Sequence, residues 1–138
     1  MTESEAGQAE VAKRILCVED SDDSLFMLHR RLTRAGFDVK VSSNGKEAVE
    51  WAKHILPDII LMDLNLPGID GWEATRRLKA QQETKNIPVI VLTAHTSKRS
   101  HDEAKAAGCD DYDTKPIDFP GLIRKIQALL NRPASRVT

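Results

Sequence analysis

The chain has 138 residues, 41% hydrophobic and 30% charged, with a formal net charge of −1. That length suits one domain around one core, and the near-neutral balance supplies no global field for nucleic acid or an anionic membrane surface. Its two cysteines lack metal-type spacing and give no disulfide framework, which points to a reducing cytoplasm, and its apolar runs are too short to span a bilayer.

Residues 1–12 carry neither a usable apolar period nor a signal core and are expected to form a flexible tail. From Lys13 onward, strand and helix patterns alternate five times. Lys13–Val18 reads as a strand with Cys17 as a small buried hydrophobe. Asp22–Ala35 reads as a helix with Leu25, Leu28 and Leu32 on one face. Asp22 or Asp23 is expected to cap it, Gly36 to stop it, and Arg30, Arg31 and Arg34 to form a solvated face. Phe37–Ser42 is a strand of weaker apolar content, which suits a sheet edge. Ser43 or Asn44 caps the next helix, whose stripe is Ala48, Val49, Ala52 and Ile55 and which ends at Pro57.

Asp58–Met62 is nearly all apolar, the pattern of a strand covered on both faces. A loop at 65–68 leads to a helix from Gly71 to about Gln82, with Trp72 expected as partly exposed cover. Ile87–Leu92 is the fourth strand. Ser97–Ala107 should be helical, but its alanines offer little area to bury, so it is expected to be loosely held. Cys109 follows Gly108 at a helix–strand junction. Asp110–Thr114 is a short fifth strand, and Asp118 caps a last helix with Leu122, Ile123, Ile126, Leu129 and Leu130 inward. Residues 132–138 read as a polar stub. A (βα)5 pattern over 13–131 predicts one flavodoxin-like three-layer domain with a five-stranded parallel sheet in the order 2-1-3-4-5.

In that topology the carboxyl ends of the strands share one edge, where open α/β sheets bind ligands. Glu19 and Asp20 follow the first strand, Asp63 the third and Thr93 the fourth, while Lys115 closes the fifth. Taken singly, each reads as a turn, cap or surface residue; together they are complementary chemistry at four strand ends. Carboxylates about 4 Å apart repel by roughly 4 kcal/mol per pair at an effective dielectric near 20. A cation offsets that cost, and few oxygen ligands with open positions suit Mg²⁺, which accepts phosphate oxygens. A carboxylate can serve as nucleophile and form an aspartyl phosphate, and in-line transfer then needs positioning and charge stabilisation. Asp63 is the candidate nucleophile, Asp20 and Glu19 are metal ligands, Lys115 is a point cation and Thr93 a hydroxyl donor. Glu19-Asp20-Ser21-Asp22-Asp23 would repel an unneutralised phosphate, and neither G-x-G-x-x-G nor a Walker pattern occurs. Tyr112 lies near the same edge. His95 reads as an exposed loop histidine, and His29, His54 and His101 sit on predicted helix faces without a special role.

The segments Ile-Leu-Cys-Val-Glu-Asp at 15–20, Pro-Asp-Ile-Ile-Leu-Met-Asp-Leu-Asn-Leu-Pro-Gly at 57–68, Val-Ile-Val-Leu-Thr-Ala at 89–94 and Tyr-Asp-Thr-Lys-Pro at 112–116, in this order and spacing, resemble the receiver domain of two-component response regulators. The resemblance covers roughly Arg14 to Leu130 and suggests a stand-alone receiver. It implies that a sensor histidine kinase or histidine phosphotransfer protein donates a phosphoryl group to Asp63. Mg²⁺ would be held by Asp20, Asp63 and the backbone carbonyl of Asn65, with Glu19 helping through water. Glu19 stands where many members have Asp, and its longer side chain leaves direct ligation open. Lys115 would contact the phosphoryl group, Thr93 would move toward it and Tyr112 would rotate inward. The Lys115–Pro116 bond is a candidate cis peptide. Asn65 and His95 occupy positions that tune attack of water on the acyl phosphate.

The expected output is a downstream protein bound after phosphorylation by the fourth helix, fifth strand and fifth helix, including Lys98, Arg99, Tyr112 and Asp113. Such a domain is no conventional enzyme, makes no direct nucleic-acid or membrane contact, and is a monomer or a phosphorylation-dependent dimer. One rival is a Mg²⁺-dependent haloacid-dehalogenase-like phosphatase, which wants its nucleophile on the first strand and an acid where Asn65 stands. The other is a phosphorylation-independent interaction domain.

Overall fold

The sheet has five parallel strands: β1 (Arg14–Val18), β2 (Asp38–Ser42), β3 (Ile59–Asp63), β4 (Val89–Thr93) and β5 (Asp111–Thr114). The structure, a computed structural model, describes residues 11–94 and 97–132. His95 and most of the expected tail and stub lie outside them. The sheet order is β2-β1-β3-β4-β5, as the alternating pattern predicts. Five helices make the crossovers: α1 (Asp22–Arg34), α2 (Gly45–Ile55), α3 (Gly71–Ala80), α4 (Lys98–Ala107) and α5 (Phe119–Leu130).

Side chains alternate along each strand and so feed two cores. Ile15, Cys17, Ile59, Leu61, Ile90 and Leu92 pack with Leu28 and Leu32 of α1 and Leu122 and Ile126 of α5. Leu16, Val18, Ile60, Met62, Val89 and Val91 pack with α2, α3 and α4 on the other face. Every residue of β3 and β4 is buried, the consequence of helices covering both sides. Within α4 the buried residues are Ala104 and Ala107, so this helix has small side chains with which to hold the sheet.

Several local details differ from the expectations. Ser21, not Asp22 or Asp23, caps α1, its Oγ accepting the Ser24 N–H at 3.3 Å. Asp22 and Asp23 occupy the first turn instead, where their charges face the positive end of the helix dipole. Asn44 caps α2, and that helix ends one residue before Pro57, at Leu56 in the left-handed conformation (φ 46°). Asp118 occupies the N-cap position of α5 without a side-chain cap bond; Pro120 in the first turn has no N–H to offer. Arg31 is not merely solvated, because its guanidinium sits 4.5 Å from the Phe119 ring centroid and ties α1 to α5. Arg132, expected in the polar stub, lies 3.6 Å from Asp110.

Trp72 is buried, only 7% exposed, rather than partly exposed cover. The cause lies one residue earlier. The Gly71 N–H donates to the Leu64 carbonyl at 2.9 Å, and a Cβ at Gly71 would collide with the Asp63 carbonyl. Glycine thus lets the start of α3 press onto the end of β3 and carries Trp72 into the core.

The β5 rim closes on itself. Asp111 Oδ1 accepts the Tyr112 N–H at 2.8 Å and Asp113 Oδ1 accepts the Thr114 N–H at 3.0 Å. From α5, Lys125 Nζ donates to the Tyr112 carbonyl at 2.7 Å.

Candidate functional site

The order β2-β1-β3 places the switch in winding direction between β1 and β3. β1 runs directly into Glu19, whose N–H continues the ladder to the Ser42 carbonyl at 3.0 Å. β3 ends at Asp63, held by its register opposite Leu92. Glu19, Asp20 and Asp63 each bring a carboxylate oxygen into one group, the three oxygens within 4.8 Å of one another. Glu19 and Asp63 are buried at 3% and 2% exposure, while Asp20 is exposed.

Lys115 enters from the far side of the sheet. Its N–H donates to the Thr93 carbonyl at 2.9 Å, its bond to Pro116 is cis, and its ammonium turns back over β3. Nζ lies 2.6 Å from Asp63 Oδ1 and 3.1 Å from Glu19 Oε1. The shorter of the two contacts pairs the ammonium with the buried Asp63 carboxylate. Burial pushes the Asp63 carboxyl above its ordinary range; the Lys115 contact opposes the rise, and the Glu19 and Asp20 charges add to it. For Lys115, burial pulls downward, but pairing with Asp63 and Glu19 outweighs it and holds the ammonium above its usual range.

The structure therefore brings Glu19, Asp20, Asp63 and Lys115 into one crevice. Thr93 is buried at the end of β4, joined through its carbonyl to Lys115. Asn65 is exposed two residues beyond Asp63. Tyr112 stands opposite Val91 on β5, half-buried, with its hydroxyl 3.2 Å from His101 Nδ1. Its hydroxyl thus meets α4. Beside the crevice lies a cavity of about 280 Å³ whose wall includes Glu19 and Lys115 on one side and Met27, Ile117 and Phe119 on the other.

Three carboxylates around one ammonium leave an excess of negative charge. Hard oxygen donors, one of them open to solvent, fit a small divalent cation that keeps part of its water shell. The same set fits Mg²⁺ better than a thiophilic metal, since no Cys or His belongs to the group.

Sequence reasoning missed Gly71 and His101. A glycine directly after the Asp70 helix cap was a readable sign of close backbone approach. His101 carried no such sign, because its partner Tyr112 lies on another element.

A doubly wound parallel sheet with an acidic crevice at its switch point places the protein among the open α/β folds that bind ligands at the carboxyl ends of their strands. The sequence profile of the response regulator receiver domain matches residues 15–127, and the chain belongs to that family. Protein PilH of Pseudomonas aeruginosa is 38% identical over 117 residues, covering 85% of this chain and 97% of the relative. The polar-differentiation response regulator DivK of Brucella anthropi is 35% identical over 118 residues, covering 86% and 96%. Among solved structures, the receiver domain of the Pseudomonas aeruginosa sensor histidine kinase PA1611, with a magnesium ion coordinated in its active-site cleft, superposes with a TM-score of 0.83 at 33% identity, covering 88% of this chain and all (100%) of that one. A response regulator from Chloroflexus aurantiacus gives 0.84 at 32% identity, covering 88% and 99%.

Proposed function

We propose that this receiver domain accepts a phosphoryl group on Asp63 from a phosphohistidine donor, a sensor histidine kinase or histidine phosphotransfer protein, and thereby switches the binding of a downstream protein. The observation that carries the reading is the meeting of three acids and Lys115 in one crevice, with Nζ 2.6 Å from Asp63. Asp20, Asp63, Glu19 and the Asn65 carbonyl would hold Mg²⁺. When bound, that ion offsets the carboxylate charge and that of the incoming phosphoryl oxygens.

Asp63 attacks phosphorus through a carboxylate oxygen; a P–O bond forms, the donor's P–N bond breaks, and the electron pair leaves on the imidazole. The Lys115 ammonium shifts its pairing from the carboxylate to a phosphoryl oxygen. Thr93 donates its hydroxyl to another, and Tyr112 follows inward. The cavity flanked by Met27, Ile117 and Phe119 offers the donor an approach beside the crevice. Asn65 and His95 govern water attack on the acyl phosphate. The α4–β5–α5 face, with Lys98, Arg99, Tyr112 and Asp113, is the output surface, biased by new bonds at the phosphoryl group. Among the described residues no helix is long and apolar enough to cross a membrane, and the setting proposed is the cytoplasm.

The test is incubation with acetyl phosphate and Mg²⁺, followed by intact-protein mass spectrometry. The wild type should gain one phosphoryl group and Asp63→Asn none. A wild type that stays unlabelled overturns the proposal in favour of a phosphorylation-independent interaction domain. No observation favours the phosphatase alternative, since Asp63 ends the third strand and Asn65 follows it. For the output surface, a partner that binds Asp63→Ala as well as wild type in the presence of kinase would refute the switch.

A further inference from the structure

Tyr112 is the chain's one tyrosine, and it meets α4 at His101. Its hydroxyl lies 3.2 Å from His101 Nδ1, and the two ring centroids are 4.4 Å apart with planes tilted by 39°. On its other flank Lys125 of α5 holds the strand carbonyl at 2.7 Å and places its ammonium 5.7 Å from the ring centroid. His101 Nε2 is buried without a hydrogen-bond partner among the described residues. The Nδ1 side is therefore where the imidazole meets its hydrogen-bond partner, and the Tyr112 ring is its stacking surface. The buried residues of α4 are alanines, so the His101–Tyr112 pair is a large part of what fixes α4 to the sheet. Next to the pair is a cavity of about 470 Å³ between α4 and β5, with Ala104 and Cys109 also in its wall. The tyrosine thus has open volume beside it rather than close-packed core on every side.

We infer that His101 is a positioning residue that holds Tyr112 in its resting place and makes departure of the tyrosine ring and loosening of α4 one event. The inference deepens the proposed switch and rests on it only for what draws Tyr112 away. While the histidine bond is made, Tyr112 cannot turn toward Thr93 without giving up both the hydroxyl contact and the ring stack. Once it turns, α4 loses that ring contact and rests on its small alanine contacts to the sheet. The signal at Asp63 therefore reaches the α4 surface through a pair of rings, and the strength of their contact sets how much of the population has already switched before any phosphoryl group arrives.

A single tyrosine makes the test direct. The full chain labelled with 3-fluorotyrosine reports Tyr112 alone by ¹⁹F NMR, at rest and after addition of Mg²⁺ and acetyl phosphate. Removing one neutral hydrogen bond should shift a two-state ratio about fivefold. In resting His101→Ala the Tyr112 signal is expected to move to a second environment by about that ratio. His101→Asn, whose amide reaches the place of Nδ1, should restore the wild-type position. Amide exchange in α4 should quicken in His101→Ala and in Tyr112→Phe, with no further gain in the double variant. A resting His101→Ala spectrum identical to wild type overturns the inference, as do additive exchange rates in the double variant. These comparisons are made at rest, so they decide the role of His101 independently of whether mass spectrometry finds Asp63 phosphorylated.

Discussion

Asp63 is asked to be buried, ionised and beside two other acids, and the fold is worse for it. Burial and the Glu19 and Asp20 charges push its carboxyl up, against the help of Lys115. A carboxyl raised in the folded state binds its proton more tightly there than in the unfolded chain. Its effect on stability is therefore a loss that sets in as pH rises past the ordinary value of 3.8 and persists at neutral pH. Asp63→Asn should raise the metal-free melting temperature at pH 7. The same substitution should remove the stabilisation by Mg²⁺, which for wild type is about 2.7 kcal/mol at a hundredfold excess over the dissociation constant. Thermal melts with and without Mg²⁺ check both; an Asp63→Asn protein that melts lower and still responds to Mg²⁺ contradicts the electrostatic account. Cys17 gives a second pH effect. Complete burial pushes its thiol from 9.0 to about 12. Between those values the unfolded chain gives up a proton that the folded chain keeps, so stability is full below 9.0 and falls as pH rises. Cys109, raised to about 11, and Lys115 add to the same slope. Denaturant melts from pH 8 to 11 should show a shallower decline for Cys17→Val than for wild type, and equal slopes would exclude Cys17 as a source.

At the scale of elements, the alternation of apolar runs and turn residues carries most of the fold. The all-apolar Ile59–Met62 announces a central strand, and the weaker Asp38–Ser42 an edge. Asp20, Asp63 and Lys115 are legible as a site because strand order brings their ends together once the topology is granted. What stays hidden is set by contacts across elements. Gly71 beside Trp72 signals a close backbone approach, but nothing near it in sequence names the Asp63 carbonyl as what it approaches. Nothing near His101 reveals Tyr112. Caps are ambiguous for a related reason, since Ser21, Asp22 and Asp23 all have a suitable oxygen and only the entry angle of the chain chooses Ser21. Gly71→Ala tests the close approach. A Cβ there would stand 2.8 Å from Leu64 Cα besides striking the Asp63 carbonyl. The expected cost is about 1–3 kcal/mol, read by urea unfolding, together with reduced phosphoryl uptake because Asp63 is displaced. An unchanged midpoint would mean that α3 can simply shift outward.

Over the whole molecule, the two ends of the sheet divide the work. The carboxyl edge carries the clustered charge, while the amino edge of β4 is tied down. There Asp110 Oδ2 accepts the Val89 N–H and the Lys79 ammonium, each at 2.8 Å, and Lys79 also donates to the Ile87 carbonyl at 2.8 Å. Asp110→Ala leaves the Val89 N–H and a part-buried ammonium without that oxygen and should cost about 1–3 kcal/mol. Phosphoryl uptake should persist, because Asp110 is remote from the acidic group; loss of uptake at full stability would break this division. The other consequence concerns the lateral rim. A strand at the border of a sheet normally offers free amides and carbonyls to any extended peptide. Along β5 the Asp111 and Asp113 carboxylates and Lys125 already occupy the Tyr112 and Thr114 amides and the Tyr112 carbonyl. Replacing both acids with alanine should raise light scattering on storage. If the proposed effector docks at this flank, it is expected to read side groups rather than zip main chain to main chain, and the same carboxylates are expected to disfavour self-polymerisation.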